Sequence, residues 1–374
     1  MSTLTPSAAK QAVFEAIARS VKLSKLELHR SFSLTGSSMA RVLDELIAHG
    51  LIRENGYGPS TGGRRPILYE LNPEYGYLLG LEVSRTYSAI GLFDMALQPL
   101  ASHKWNMDES MDPGALTTAV KRWIGRAISR LSIPREKLIG LGIGSVGPLD
   151  RDSGMLLNTN HFHAQGWKNI PLRSMMEEAL GIKVVLESGA SAALIGEHWS
   201  LKEEMPDHML YVHVGAGIRS AMMSDGRIVR GAADMEESIG GMIIQSSGPT
   251  SDSPETFGIL KDFVTLKALE KADFPTLLQS LKNNDPHIEQ LFMQSATYLG
   301  IGLANIINMV HPEKIILGGP LVHSSSRYYE TAIATAVSHI YSDSGYRPRF
   351  SQGRLKEQAV AAGAAVIMLK ELGL

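Results

Sequence analysis

The chain has 374 residues, 44% hydrophobic and 20% charged, with a net charge of −2 and no cysteine. This composition provides core for two or three globular domains and excludes both a disordered chain and a uniformly polybasic nucleic-acid binder. The lack of cysteine excludes disulfides and thiolate metal sites.

The opening, MSTLTPSAAKQAVFEAIARS, lacks the uninterrupted apolar stretch of a signal peptide. No segment approaches the ~18 uncharged apolar residues of a membrane span. A cytoplasmic protein is expected. Residues 6–20 read as a helix, with Val13, Phe14 and Ile17 at helical spacing and Pro6 in the first turn. A second short helix covers 24–31 with Ser24 as N-cap, and Phe32-Ser33-Leu34 forms the turn. A third helix runs over 35–49, buries Met39, Val42, Leu43, Leu46 and Ile47, and stops at Gly50.

Ser60-Thr61-Gly62-Gly63-Arg64-Arg65-Pro66 follows, ahead of an apolar strand-like run from Ile67 to Leu71. The glycines permit a sharp turn, and the proline holds the residue before it extended. Helix, turn, helix and Gly-rich hairpin make a winged helix-turn-helix. In that arrangement the third helix presents its N-terminal residues to base edges, and wing arginines suit phosphates or a narrow minor groove. The candidate DNA contacts are Thr35, Gly36, Ser37, Ser38 and Arg41 on the helix, and Ser60, Thr61, Gly62, Gly63, Arg64 and Arg65 on the wing. Residues 1–74 carry nine basic and seven acidic side chains, a small surplus in the same direction.

From Tyr77 the pattern changes to strands alternating with helices, the mark of an α/β body. Strands are expected at 78–83, 89–93, 138–143, 184–186, 210–214 and 314–317. Helices are expected at 112–131, 190–199, 286–310 and 357–371. Glycine turns at several strand ends suggest a cleft between two lobes.

The segments GIGSVGPLD (142–150), Gly166-Trp167, SGASAALIGE (188–197), VGAGI (214–218) and LGGP (317–320), behind the STGGRRP wing, resemble in their order the ROK family. That family contains bacterial sugar kinases and sugar-responsive repressors. The resemblance covers essentially the whole chain. It implies a winged helix-turn-helix over 1–74 and a two-lobed, actin-like, ribonuclease H-like sugar-kinase fold over 75–374. One lobe would be about 75–187 plus the C-terminal helix, the other about 188–356.

Three departures from the family pattern bear on function. Family kinases have an Asp-x-Gly-Gly-Thr phosphate loop, where this chain has Glu82-Val83-Ser84-Arg85-Thr86. Side chains there obstruct the backbone cradle that phosphate needs. The kinases' Asn-Asp pair, whose Asp serves as general base, is matched by Ser188 and Gly189, and glycine accepts no proton. The zinc-binding His of many members is matched by Gly241, and the loop after it has no cysteine, so neither zinc nor another cofactor is expected.

Candidate effector contacts, placed by the resemblance or lying near it, are Asn158, Asn160, His161, His163, Glu187, Ser188, Glu197, Glu236, Glu237 and Ser238. Arg85 and Arg219 would contact a modified or anionic sugar. The expectation is a non-enzymatic, DNA-binding repressor of carbohydrate-related genes, acting as a homodimer or homotetramer on a double-stranded operator. A small carbohydrate-like effector would control it. The alternatives are a divergent sugar kinase with a DNA-binding appendage and a constitutive regulator without an effector.

Overall fold

Three helices open the chain: α1 (Pro6–Arg19), α2 (Lys25–Ser31) and α3 (Gly36–Ala48). The computed structural model describes residues 6–59, 65–159, 162–233, 236–246, 257–270, 274–341 and 345–372. A capping box starts α2: Ser24 Oγ accepts from the Glu27 amide at 3.3 Å, and Glu27 Oε2 accepts from the Ser24 amide at 2.7 Å. Thr35 caps α3, its hydroxyl accepting from the Ser38 amide at 3.2 Å. Gly50, at φ +73°, turns the chain out of that helix. Strands β1 (Ile52–Tyr57) and β2 (Ile67–Leu71) then pair antiparallel, and the Gly58 amide donates to the Pro66 carbonyl beyond the last pair. The hairpin tip, Ser60 to Arg64, lies outside the described residues.

The body holds two five-stranded sheets among the described residues, built on one plan. The first comprises β3 (Tyr77–Val83), β4 (Tyr87–Asp94), β5 (Pro99–Asn106), β6 (Leu138–Ser145) and β7 (Lys183–Ser188), in the order β7-β6-β3-β4-β5. Strands β3, β6 and β7 are parallel, while β4 and β5 return antiparallel. The second comprises β8 (Met209–Val214), β9 (Ile218–Ser224), β10 (Arg227–Ile228), β11 (Lys314–Gly318) and β12 (Arg349–Ser351), in the order β10-β9-β8-β11-β12. Here β8, β11 and β12 are parallel and β9 and β10 antiparallel. Parallel neighbours need helical crossovers. These are α4 (Pro113–Arg130) and α5 (Leu172–Leu180) in the first lobe, and α7 (Pro286–Val310) and α8 (Ser326–Ser338) in the second.

Two further helices tie the lobes and the head together. Helix α6 (Gly189–Ser200) leaves the end of β7 and packs on strands of both sheets. Helix α9 (Ala359–Lys370) returns to the first lobe and packs on α6, β3 and β6. The head does not stand apart. Val13, Phe14, Ile17, Leu28, Met39, Leu43 and Leu46 share one apolar cluster with Leu78, Phe93, Ile195, Trp199, Val366 and Leu369 of the body. Among the described residues no helix is long and apolar enough to cross a membrane.

Candidate functional site

In the first sheet, Val83 lies opposite Ser145 and Ser145 opposite Ser188, so β3, β6 and β7 end together. The crevice beyond the carboxyl ends of parallel strands is where open α/β sheets hold ligands. In this protein, side chains from the second lobe reach into that crevice and join the first lobe. Arg85, in the β3–β4 turn, donates to Glu237 Oε1 at 2.6 Å. Glu236 Oε2 accepts from the Ala190 amide at 2.8 Å and Oε1 from the Gly147 amide at 3.2 Å. Arg230, just past β10, donates to Glu187 Oε2 at 2.6 Å, and Arg151 donates to Oε1 of the same carboxylate at 2.6 Å.

Arg219 on β9 is buried, with Nη1 3.8 Å from Glu236 Oε1. A Cβ at Gly189 would lie 3.3 Å from that Nη1. The guanidinium therefore stands against position 189, which the sequence resemblance matches to the kinases' base. Likewise, a Cβ at Gly217 would lie 3.5 Å from Arg85 Nη1.

The charges in this cluster are set by burial and by one another. Burial raises the Glu82 carboxyl to about 7, although Arg219 and the Tyr87 hydroxyl pull it down. Tyr87 donates to Glu82 Oε1 at 2.9 Å, while buried Oε2 has no hydrogen-bond partner among the described residues. Burial would also raise Glu187, but hydrogen bonds and charge from Arg230 and Arg151 outweigh it and hold that carboxyl below its usual range. Arg219 is disfavoured as a cation by burial, yet Glu236 and Glu82 more than compensate and raise its pKa.

A pH dependence follows from Glu82. Its folded pKa lies above the unfolded value, so the native state binds the extra proton between about pH 4.5 and 7. The resulting stabilisation is full below that window and is lost as pH rises through 7. The amount at stake is about 3 kcal/mol at ~1.4 kcal/mol per pKa unit. Buried His198, held down to about 4, contributes the opposite slope over some of this range, so variant and wild type must be compared directly. Glu82→Gln, an isostere of the protonated carboxyl, is expected to lie close to wild-type stability at pH 5 and to exceed it by about 3 kcal/mol at pH 8. Chemical denaturation at the two pH values checks this, and a variant much weaker than wild type at pH 8 would refute it.

The structure brings only some of the expected effector set together. Glu187, Ser188, Glu236 and Glu237 sit in the crevice, and Ser238 follows them, exposed. Ser188 is also the N-cap of α6, its hydroxyl accepting from the Ser191 amide at 3.3 Å. Asn158 and His163 are exposed on the loop between the turn Met155–Leu156 and Trp167. Asn160 and His161 lie outside the described residues. Glu197 is a correction: it lies eight residues along α6 from Gly189, roughly 12 Å at ~1.5 Å per residue. There it is buried and accepts from the Arg354 and Leu355 amides at 2.7 and 2.9 Å. It caps the chain leading into α9. Arg151, Arg230 and Tyr87 are not marked by the sequence: the two arginines lie 36 and 43 residues from Glu187 in the chain, and Tyr87, only five residues from Glu82, reads as the first residue of an apolar strand.

On the head, Thr35, Gly36, Ser37, Ser38 and Arg41 form an exposed row at the start of α3, opposite buried Met39, Val42, Leu43 and Leu46. Arg41 pairs within the helix to Glu45 at 3.1 Å. Arg65 is exposed at the base of the hairpin.

Comparison with known proteins agrees with this geometry. A family model described as ROK family matches residues 78–371. The xylose repressor of Caldicellulosiruptor bescii is 24% identical over 392 residues, spanning 99% of this chain and 97% of that protein. The DNA-binding transcriptional dual regulator NagC of Escherichia coli K12 is 22% identical over 331 residues, 84% of this chain and 80% of its own length. Among solved structures, a ROK family transcriptional regulator described as a homolog of the E. coli MLC protein superposes with a TM-score of 0.77 at 19% identity, over 98% of this chain and 96% of the other. A glucokinase from Streptomyces griseus superposes with a TM-score of 0.63 at 19% identity, over 78% of this chain and 99% of its own. The kinase superposes on about four-fifths of the chain and the regulator on nearly all of it, and with the family model matching from Leu78 to Glu371, the chain belongs to the ROK family.

Proposed function

We propose that this protein is a sequence-specific DNA-binding repressor of carbohydrate-related genes, controlled by a small sugar-like effector and without phosphoryl-transfer activity. The observation that carries the reading is the pairing of Gly189 with Arg219, in a chain whose α3 presents an exposed polar row. A general base needs a proton acceptor within reach of the substrate hydroxyl, and a guanidinium at that place accepts none. Full-length relatives named as repressors support the DNA-binding half of the reading.

The chain would divide at about residue 74 into a DNA-reading head and a sensing body. Helix α6 gives the two a physical link. Its first turn holds Glu236 in the crevice, and its last turns place Ile195 and Trp199 in the apolar cluster shared with the head. An effector that binds one arrangement of the lobes better than another shifts the population of both. As a homodimer or homotetramer, the protein would set paired heads on half-sites separated by a whole number of DNA turns.

Purified protein incubated with ATP, magnesium and a panel of hexoses and pentoses is expected to release no ADP above the sugar-free control. Sustained sugar-dependent turnover would instead support a divergent kinase with a DNA-binding appendage.

A further inference from the structure

Helix α4 is basic along its outer face and carries no acid to balance it. From Pro113 to Arg135 the chain holds five cations, Lys121, Arg122, Arg126, Arg130 and Arg135, and no Asp or Glu. The body around this stretch is net acidic. Nine basic against seven acidic side chains in the head, with −2 overall, leave −4 for the rest of the chain. The buried stripe of α4, Leu116, Val120, Ile124, Ala127 and Ile128, belongs to the core of the first lobe. Lys121, Arg122, Arg126 and Arg130 are exposed, and none of them makes a side-chain hydrogen bond or ion pair among the described residues. Arg122, Arg126 and Arg130 recur every four residues, so they stack in one row about 12 Å long at ~1.5 Å per residue. Like charges at that spacing destabilise a helix, and only Arg130, in the last turn, gains from the helix dipole. The row therefore costs the fold more than it returns.

The cations also lie at one end of the helix. The half from Pro113 to Val120 has no charged residue. The other half leads to Leu138, which stands opposite Tyr77 where β3 leaves the head. Lys137 donates to the Glu74 and Tyr75 carbonyls at 3.0 and 3.3 Å, and the Asn72 side chain donates to the Gly50 carbonyl, just past α3, at 2.8 Å. The basic half of α4 thus ends where the hairpin of the head joins the body.

We propose that α4 is a second DNA contact, on which Arg122, Arg126 and Arg130 hold the backbone of duplex DNA flanking the sequence that the head reads. This rests on the DNA-binding reading above. Guanidinium groups fit phosphates through a planar fork, and phosphate contacts position a protein without reading bases. The head itself has a surplus of only two cations, so the row supplies much of the positive charge on that side of the chain. It adds affinity and salt dependence while the choice of sequence stays with the head.

The test is fluorescence anisotropy of the full chain with a labelled mixed-sequence duplex of about four helical turns, across a salt series. Replacing Arg122, Arg126 and Arg130 together by alanine is expected to weaken binding at least tenfold. It should lower the slope of log K against log salt by about 2 to 3, at ~0.9 per phosphate contact. The variant should be at least as stable as wild type in urea, because alanine favours helix and the like charges are gone. Arg126→Glu alone, a smaller change to the fold, is expected to weaken binding about three- to tenfold. The charge-matched control replaces exposed Lys267, Lys282 and Arg347 of the second lobe by alanine and should change neither affinity nor slope. The motif selected from random DNA should be the same for wild type and the α4 variant. Equal losses from the two triple variants would reduce the effect to net charge and overturn the proposal. So would an α4 variant with unchanged affinity and slope. If that variant lost wild-type binding to vesicles containing phosphatidylglycerol instead, the row would belong to a lipid surface. Each of these outcomes leaves wild type on DNA, whereas failure of the underlying reading would appear as a folded wild-type chain that selects no sequence.

Discussion

Gly363→Ala is expected to destabilise the protein by at least about 3 kcal/mol, the upper range for forcing an extra methyl into a packed core. Gly363 lies in the middle of α9, where alanine would ordinarily be favoured by up to about 1 kcal/mol. The sign reverses because a Cβ there would stand 1.7 Å from the Ala192 carbonyl oxygen of α6. The same close approach recurs at Gly80, whose added Cβ would meet the Ala361 carbonyl at 1.8 Å. Both obstacles are backbone, so α9 must move away from α6 in the one case and from β3 in the other, and α9 lies in the cluster that also holds the head. Gly125, exposed on α4 with no neighbour within 4 Å, is the matched control. Gly125→Ala should be neutral or stabilising. Urea denaturation of both variants decides the point, and equal effects at the two sites would refute the packing argument.

The second large effect is expected on the head. Arg41→Glu combined with Arg65→Glu should weaken operator binding at least about 100-fold at 0.15 M salt, since on the proposed reading one cation at the base edges and one on the wing become anions beside DNA. The neutral version, Arg41→Ala with Arg65→Ala, should lower the slope of log K against log salt by about 1, at ~0.9 for the one phosphate contact of the wing. Stability should change little, because Arg65 is exposed and Arg41, with its side chain 79% exposed, has only the Glu45 pair to lose. Fluorescence anisotropy across a salt series measures both quantities. Unchanged affinity and slope would remove Arg41 and Arg65 from the interface.

Much of the head was legible in the chain because its information is local. Ser24 with Glu27, Thr35 with Ser38, and Gly50 after an amphipathic run each declare a helix end within four residues. The buried strands of the body were equally plain, since runs such as Leu78 to Val83 are apolar throughout. Strand β5 escaped notice. It is an edge strand with a mostly exposed Pro-Leu-Ala-Ser-His-Lys-Trp-Asn sequence, and nothing in it alternates. Strand β9 is not marked either, because the glycines of Val214-Gly215-Ala216-Gly217-Ile218 read as a loop and Arg219 interrupts the apolar run after them.

The site divides along the same line. A glycine at 189, where the resemblance implies a base, can be read from one position set against a family pattern. What fills the space cannot, because Arg219, Glu236 and Glu82 are distant in sequence and meet only through the stacking of two sheets. Glu197 shows the converse error: it lies close to Glu187 in the chain, but the rise of α6 carries it away from the crevice.

On the proposed reading the head binds specific DNA and the body does no chemistry. Repeated rounds of selection from random double-stranded DNA, followed by sequencing, test it most directly, with wild type and the Arg41→Glu, Arg65→Glu variant run side by side. The account predicts that wild type enriches one motif, with two related half-sites a whole number of helical turns apart, and that the variant enriches none. A folded wild-type protein that enriches no motif would contradict it.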